Sequence, residues 1–147
     1  MENTEEYQIV YVAKPEDAVW GIIGQGLDAY NIQNAGEYQY QRICFALQAA
    51  DDTIVGGILG DIIWGWFHID LLWIKDDLRG CGYGQRLLAA AEEEAQKQGA
   101  KHAFLDTFSF QAPAFYLKHG YQVFGELPDF PAGHQRYYLK KDLNSTG

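Results

Sequence analysis

The chain has 147 residues, of which 48% are hydrophobic, 15% aromatic and 21% charged: enough apolar material for one buried core, and too little charge for a disordered chain. Its 11 Lys and Arg against 20 Asp and Glu leave a formal charge of −9. With no basic cluster to displace counterions, nucleic acid is excluded as a partner, and the acidity favours a cationic substrate while also serving plain solubility.

Cys44 and Cys81 have neither metal-ligand spacing nor a disulfide-framework pattern, so no metal site is expected. Residues 1–6 are acidic and lack the basic and apolar regions of a signal peptide. The apolar stretch 54–66 is broken by glycines and Asp61 and falls short of the roughly 20 residues of a membrane span. The expected address is the cytoplasm, with no membrane partner.

In chain order, residues 7–13 are rich in β-formers and predict a strand. Lys14-Pro15-Glu16-Asp17 then predicts a helix start, with Pro in the first turn and acids at the positive dipole end. That helix is expected to bury Val19, Ile22, Ile23 and Leu27, which share one side, is weakened by Gly21, Gly24 and Gly26, and fades between Asn31 and Gly36. Residues 38–50 and 53–63 predict an antiparallel hairpin around Asp51-Asp52, and residues 66–74 a further strand. The clearest helix runs from about Tyr83 to Gln98, with Leu87, Leu88, Ala91 and Ala95 on its buried side, Glu92, Glu93 and Glu94 on its wet side, and Gly99 as its stop. A strand over 102–107, a short helix over 112–118 and strands over 121–125 and 135–140 complete the order β-α-β-β-β-α-β-α-β-β. No linker divides it, so one domain over residues 7–141 is expected, with tails at 1–6 and 142–147.

Between the fourth of these strands and the clear helix lies Arg79-Gly80-Cys81-Gly82-Tyr83-Gly84. A helix N-terminus offers unpaired N–H groups and the positive end of a dipole, and glycines let the backbone close on an anion. Such a loop implies a cofactor bearing pyrophosphate; alone, it is also what an ordinary glycine-rich helix cap looks like. A Walker A loop is excluded because Gln85 and Arg86 follow Gly84. A dinucleotide or S-adenosylmethionine site is the stronger competitor, since Asp106 about 20 residues on offers an acid for a ribose. The four strands before the loop and the single helix after Asp106 argue against that doubly wound arrangement.

With loop and helix assembled, the chain resembles the GNAT superfamily of acyl-CoA-dependent N-acetyltransferases. That family's Arg/Gln-x-x-Gly-x-Gly/Ala signature is present in full at 79–84, and its element order covers residues 7–141. Ser109, Ala112 and Phe115 through Tyr121 match a second family segment, with Ser109 where an Asn is usual. The resemblance implies an α/β fold with a mixed, mostly antiparallel sheet splayed between its fourth and fifth strands, and helices on both faces. It implies acetyl-CoA as cosubstrate, its pantetheine arm along Leu72, Trp73 and Ile74 and near Ser109, and its pyrophosphate on Arg79, Gly80, Cys81, Gly82, Tyr83, Gly84 and Gln85. Dimers are frequent in the family.

The resemblance makes Tyr116 the proton donor to the departing thiolate; packing against the cofactor is the plainer role. Strict alternation puts His68, Asp70, Leu72 and Ile74 on one strand face, with His68 and Asp70 as its polar members. A histidine titrates near neutrality, and a partly buried aspartate can be raised toward it, so either suits the base; ordinary hydrogen-bonded strand residues look the same. Trp20, Tyr30, Tyr38, Trp64 and Trp66 offer an aromatic pocket for a cationic acceptor, although aromatics at such positions more often form core. Asp129 and His134 in the late loop are weaker candidates. The implied reaction is direct acetyl transfer to a primary amine of a small molecule or peptide; a non-catalytic acyl-CoA-binding sensor is the alternative.

Overall fold

The computed structural model describes residues 6–14, 16–38 and 40–143. The chain forms two compact units, residues 1–38 and 39–147. The first holds helix α1 (Asp17–Ala35). The second holds strands β1 (Gln41–Gln48), β2 (Ile54–Ile63) and β3 (Trp66–Ile74), helix α2 (Tyr83–Lys97), strand β4 (His102–Phe108), helix α3 (Pro113–Lys118), and strands β5 (Gln122–Pro128) and β6 (Gln135–Asp142).

In the first unit, α1 forms where the periodicity predicts it, despite its three glycines, but Val19, Ile22, Ile23 and Leu27, expected to be buried, are exposed. Glu16 O accepts from Val19 N and Trp20 N at 3.0 and 3.1 Å, and Gly36, at φ 85°, closes the other end by donating to Ile32 O at 2.8 Å. Pro15, expected in its first turn, lies outside the described residues. The strand expected over residues 7–13 is not found. A strand is made by pairing, and among the described residues this unit holds no second strand to supply a ladder. Tyr38 hydroxyl donates to Asp28 at 2.7 Å, which raises its pKa and ties the segment after α1 back to the helix.

In the second unit six strands form one sheet in the order β1-β2-β3-β4-β6-β5. All neighbours are antiparallel except β3 and β4, which run parallel because α2 crosses between them. The core lies on one face. Ile43, Ile58, Ile62, Phe67, Ile69, Ala103, Leu105 and Leu139 point from the strands into Leu87, Leu88, Ala91 and Ala95 of α2, the four helix residues the periodicity predicts. Tyr116 from α3 and Tyr121 join the same cluster.

The sheet also departs from strict alternation. Gly60 pairs with Ile69 and Leu59 with Leu71, so Asp70 is an extra residue in β3, a β-bulge without a partner on β2. The bulge reverses the inward and outward sense beyond it. Phe67 and Ile69 face the core before it, Leu72 and Ile74 after it, and His68 points the opposite way. The expectation of one face carrying His68, Asp70, Leu72 and Ile74 is therefore corrected: His68 lies on the face opposite α2, while Leu72 and Ile74 pack beneath the helix.

Candidate active site

Strand β3 and strand β4 pair only at Trp66–His102, Phe67–Ala103 and His68–Phe104. Past His68 the ladder stops, although β3 continues to Ile74 and β4 to Phe108. Among the described residues no strand lies against this edge of β3 beyond the last pair, so peptide groups of both strands border a gap whose vertex is His68 and Phe104.

The β3 chain leaves this gap through a 3-10 turn, Asp76–Leu78, into the glycine loop. Gly80 and Gly82 sit at φ 79° and 86°, left-handed values that a side chain disfavours by about 1–2 kcal/mol. Gly82 caps α2, and its carbonyl accepts the first helical bond from Arg86 N at 3.2 Å. The N–H groups at the start of the helix thus have no backbone partner in the coil and carry the positive end of its dipole. Gly84 is small for a different reason: a Cβ there would stand 3.3 Å from Ile74 Cδ1 and 3.4 Å from the Phe115 ring. The mouth of α2 is in this way drawn tight against the end of β3 and the start of α3. Arg79 lies beside the loop, its guanidinium on Asp76 at 3.2 Å and on the Ile74 carbonyl at 3.4 Å. The Cys81 thiol is exposed and points back to the Arg79 carbonyl at 3.8 Å.

Tyr116 reaches the site from the core side. Its ring packs edge-on against Phe115 and Tyr121, with centroids 5.1 and 5.8 Å apart, and the residue is 8% exposed. Burial pushes the phenol up to about 12. Its hydroxyl bonds to no described residue, yet Gln41 Oε1 is the one buried side-chain polar atom without a partner among those residues. The Tyr116 oxygen therefore touches open space, as a proton-bearing phenol throughout the neutral range.

The opposite face of the sheet carries a different set. Register aligns Asp61 of β2, His68 of β3, Phe104 of β4 and Lys140 of β6 in one row. The His68 ring stacks on Phe104 at 4.6 Å, and Trp66 stacks on His102 at 4.5 Å in the row before. Trp66 is thereby part of a strand-pair stack and Tyr38 is bound to Asp28, so these two expected pocket residues have other partners. Asp70, on the bulge, is exposed.

Ser109 follows β4, and its hydroxyl accepts from Gln135 N at 3.1 Å while standing 3.5 Å from His134 Nδ1. Asp106 takes two bonds from Arg136, from Nε at 2.9 Å and Nη2 at 2.6 Å, on one oxygen. A ribose partner on this acid, as the competing cofactor required, would first have to displace an arginine. Register could not be read from the sequence, and Arg136 was therefore missed, as were Phe108, Phe110 and Phe130 around it.

Residues 9–121 match the acetyltransferase (GNAT) family. The chain belongs to the GNAT acetyltransferases. An acetyltransferase of Agrobacterium fabrum is 33% identical over 78% of this chain and 84% of its own length. A blasticidin-S acetyltransferase of Streptomyces morookaense is 41% identical over 61% of this chain and 67% of its own. A crystal structure of an acetyltransferase from Bacillus cereus superposes with a TM-score of 0.83 at 30% identity, over 90% of this chain and 97% of that one. As a GNAT acetyltransferase the protein is an acyl-CoA-dependent enzyme, with acetyl-CoA as its cosubstrate. No described helix is long and apolar enough to cross a membrane.

Proposed function

We propose that the enzyme transfers acetyl from acetyl-CoA to a primary amine of a small molecule, by direct attack while both substrates are bound. The observation that carries this reading is the end of the β3–β4 ladder at His68 and Phe104, with an anion-binding helix mouth beyond one end of the gap and the free hydroxyl of Tyr116 on its core side. The pantetheine arm lies along Leu72, Trp73 and Ile74 as an added strand, and the pyrophosphate sits on the N–H groups from Arg79 to Gln85. Ser109, whose hydroxyl accepts from Gln135 N and stands 3.5 Å from His134 Nδ1, borders the arm.

Base and acid then act from opposite faces. His68 faces away from α2 and takes the amine proton as nitrogen attacks the thioester carbonyl, with Asp70 on the bulge as the second candidate. Tyr116 donates to sulfur as the C–S bond breaks. The match to the family from residue 9 to 121 crosses the boundary between the two units and supports one acetyltransferase domain over residues 7–141. The blasticidin-S acetyltransferase among the relatives supports a small-molecule acceptor over a protein one.

The test is Tyr116→Phe. We expect turnover to fall by about 10²-fold, as loss of a general acid does, with CoA affinity held within a few-fold. Unchanged turnover removes the acid role. For the base, neither His68→Ala nor Asp70→Asn removing the acidic limb of the pH–rate profile would assign that step to solvent.

A further inference from the structure

Past the vertex of the gap, on the face that carries His68, strand β4 presents Asp106 and then Phe108, and a set of aromatic rings gathers around Phe108. Phe110 stacks parallel to Phe108, with centroids 5.3 Å apart and planes at 6°. Phe130 leans on Phe108 at 5.5 Å, and His134 meets Phe110 edge-on at 5.0 Å. Phe110 is 57% exposed and Phe130 39%, although both belong to backbone that is tied down. Gln111 Oε1 accepts from Phe108 N and Thr107 Oγ1, at 2.8 and 2.9 Å, and fixes the turn carrying Phe110. Ser109 N donates to Gln135 O, and Phe130 N to His134 O, which fixes the loop carrying Phe130. Large apolar rings held rigid and exposed are a preorganised contact surface.

The electrostatics decide what that surface takes. Aromatic faces attract cations, but here the protein supplies its own. The Arg136 guanidinium lies 4.8 Å from the centre of Phe130, 5.4 Å from Phe108 and 5.6 Å from Tyr138, held there by Asp106. A second cation at Phe108 or Phe130 would compete with Arg136 for the same ring, whereas a neutral flat ring extends the Phe108–Phe110 stack with no such competition.

We propose that Phe110 and Phe130 select acceptors that carry a neutral flat ring, which stacks on them while the amine reaches the vertex at His68. This rests on the acetyl-transfer reading above. Four strand steps, about 13 Å, separate Phe104 from Phe108, so the ring and the amine stand apart on an extended molecule.

The experiment pairs primary amines that carry a flat or a puckered ring on a chain long enough to span that distance, 8-phenyloctylamine against 8-cyclohexyloctylamine, with spermidine as the ring-free cation, in steady-state assays with saturating acetyl-CoA. We expect kcat/KM at least tenfold higher for 8-phenyloctylamine. In Phe110→Ala, and separately in the milder Phe130→Leu, the ratio for 8-phenyloctylamine over 8-cyclohexyloctylamine falls at least fivefold, while thermal unfolding verifies that each variant is folded. Preference for 8-cyclohexyloctylamine or spermidine, or a ratio unmoved in both variants, overturns the selection by these rings and leaves acetyl transfer standing. Binding of acetyl-CoA with no member of the panel acetylated overturns both.

Discussion

Glu92 ties α2 to Tyr121 and to Lys141 of β6. It points from the helix to accept from the Tyr121 hydroxyl at 2.6 Å and from Lys141 Nζ at 2.9 and 3.2 Å, with side-chain exposures of 14% for Glu92 and 26% for Lys141. Removing the carboxylate leaves a largely buried ammonium and phenol without their acceptor. Glu92→Ala is therefore expected to cost about 3 kcal/mol, read as a lower urea midpoint with an unchanged slope. The wet-side assignment of Glu92 from helical period missed this, because Lys141 lies 49 residues further on and only the fold brings it there. Tyr116 makes a second expectation at this scale. Its pKa in the fold, about 12, lies above the usual tyrosine value of about 10, so its burial stabilises the fold fully below pH ~10 and that contribution drains away as pH rises toward 12. Two units correspond to about 3 kcal/mol. Tyr121 adds in the same direction, raised by burial and by Glu92 beside it. Stability measured from pH 9 to 11.5 is expected to fall less steeply in Tyr116→Phe than in the parent protein, and equal slopes would contradict the burial.

At the scale of elements, the glycine loop shows why a local motif is legible and its surroundings are not. Gly82 must adopt φ 86°, and its place before an apolar helical period is visible in the chain itself. Gly82→Ala is expected to lose about 1 kcal/mol of stability and to weaken acetyl-CoA binding about tenfold or more by turning the first N–H groups of α2 off the anion. Calorimetric titration with CoA measures the second effect, and affinity equal to that of the parent would remove the loop from the site. The bounds of β3 agree with its apolar run, and the buried side of α2 with its period, because both follow from residues close in sequence. The Asp70 bulge does not. It is a mismatch between two strands, so nothing within β3 alone announces it, and the faces inferred for His68, Leu72 and Ile74 were wrong for that reason. The segment 7–13 failed similarly: β-propensity describes what a chain accepts from a neighbour, not whether the neighbour is there.

Across the whole molecule, what matters is where the reactive groups stand relative to one another, and this bears on the order of chemical steps. A relay through an acetylated enzyme needs a nucleophile within reach of the thioester. The two thiols are poor candidates: Cys81 belongs to the loop at the helix mouth, directed at the Arg79 carbonyl, and Cys44 lies on the edge strand β1 opposite Leu59, two strands from the gap. Tyr116, with its phenol near 12, keeps its proton and is a weak nucleophile. His68 and Tyr116 instead face opposite sides of the sheet, an arrangement that suits an amine arriving on one side while the thiolate is protonated from the other. Initial rates measured against both substrates are accordingly expected to give intersecting lines in double-reciprocal plots, and intact-mass measurement after incubation with acetyl-CoA alone is expected to show no added acetyl group. Parallel lines together with an acetylated protein that passes its group to an added amine would replace direct attack by a two-stage transfer, and would move the search for the reactive residue away from the gap between β3 and β4.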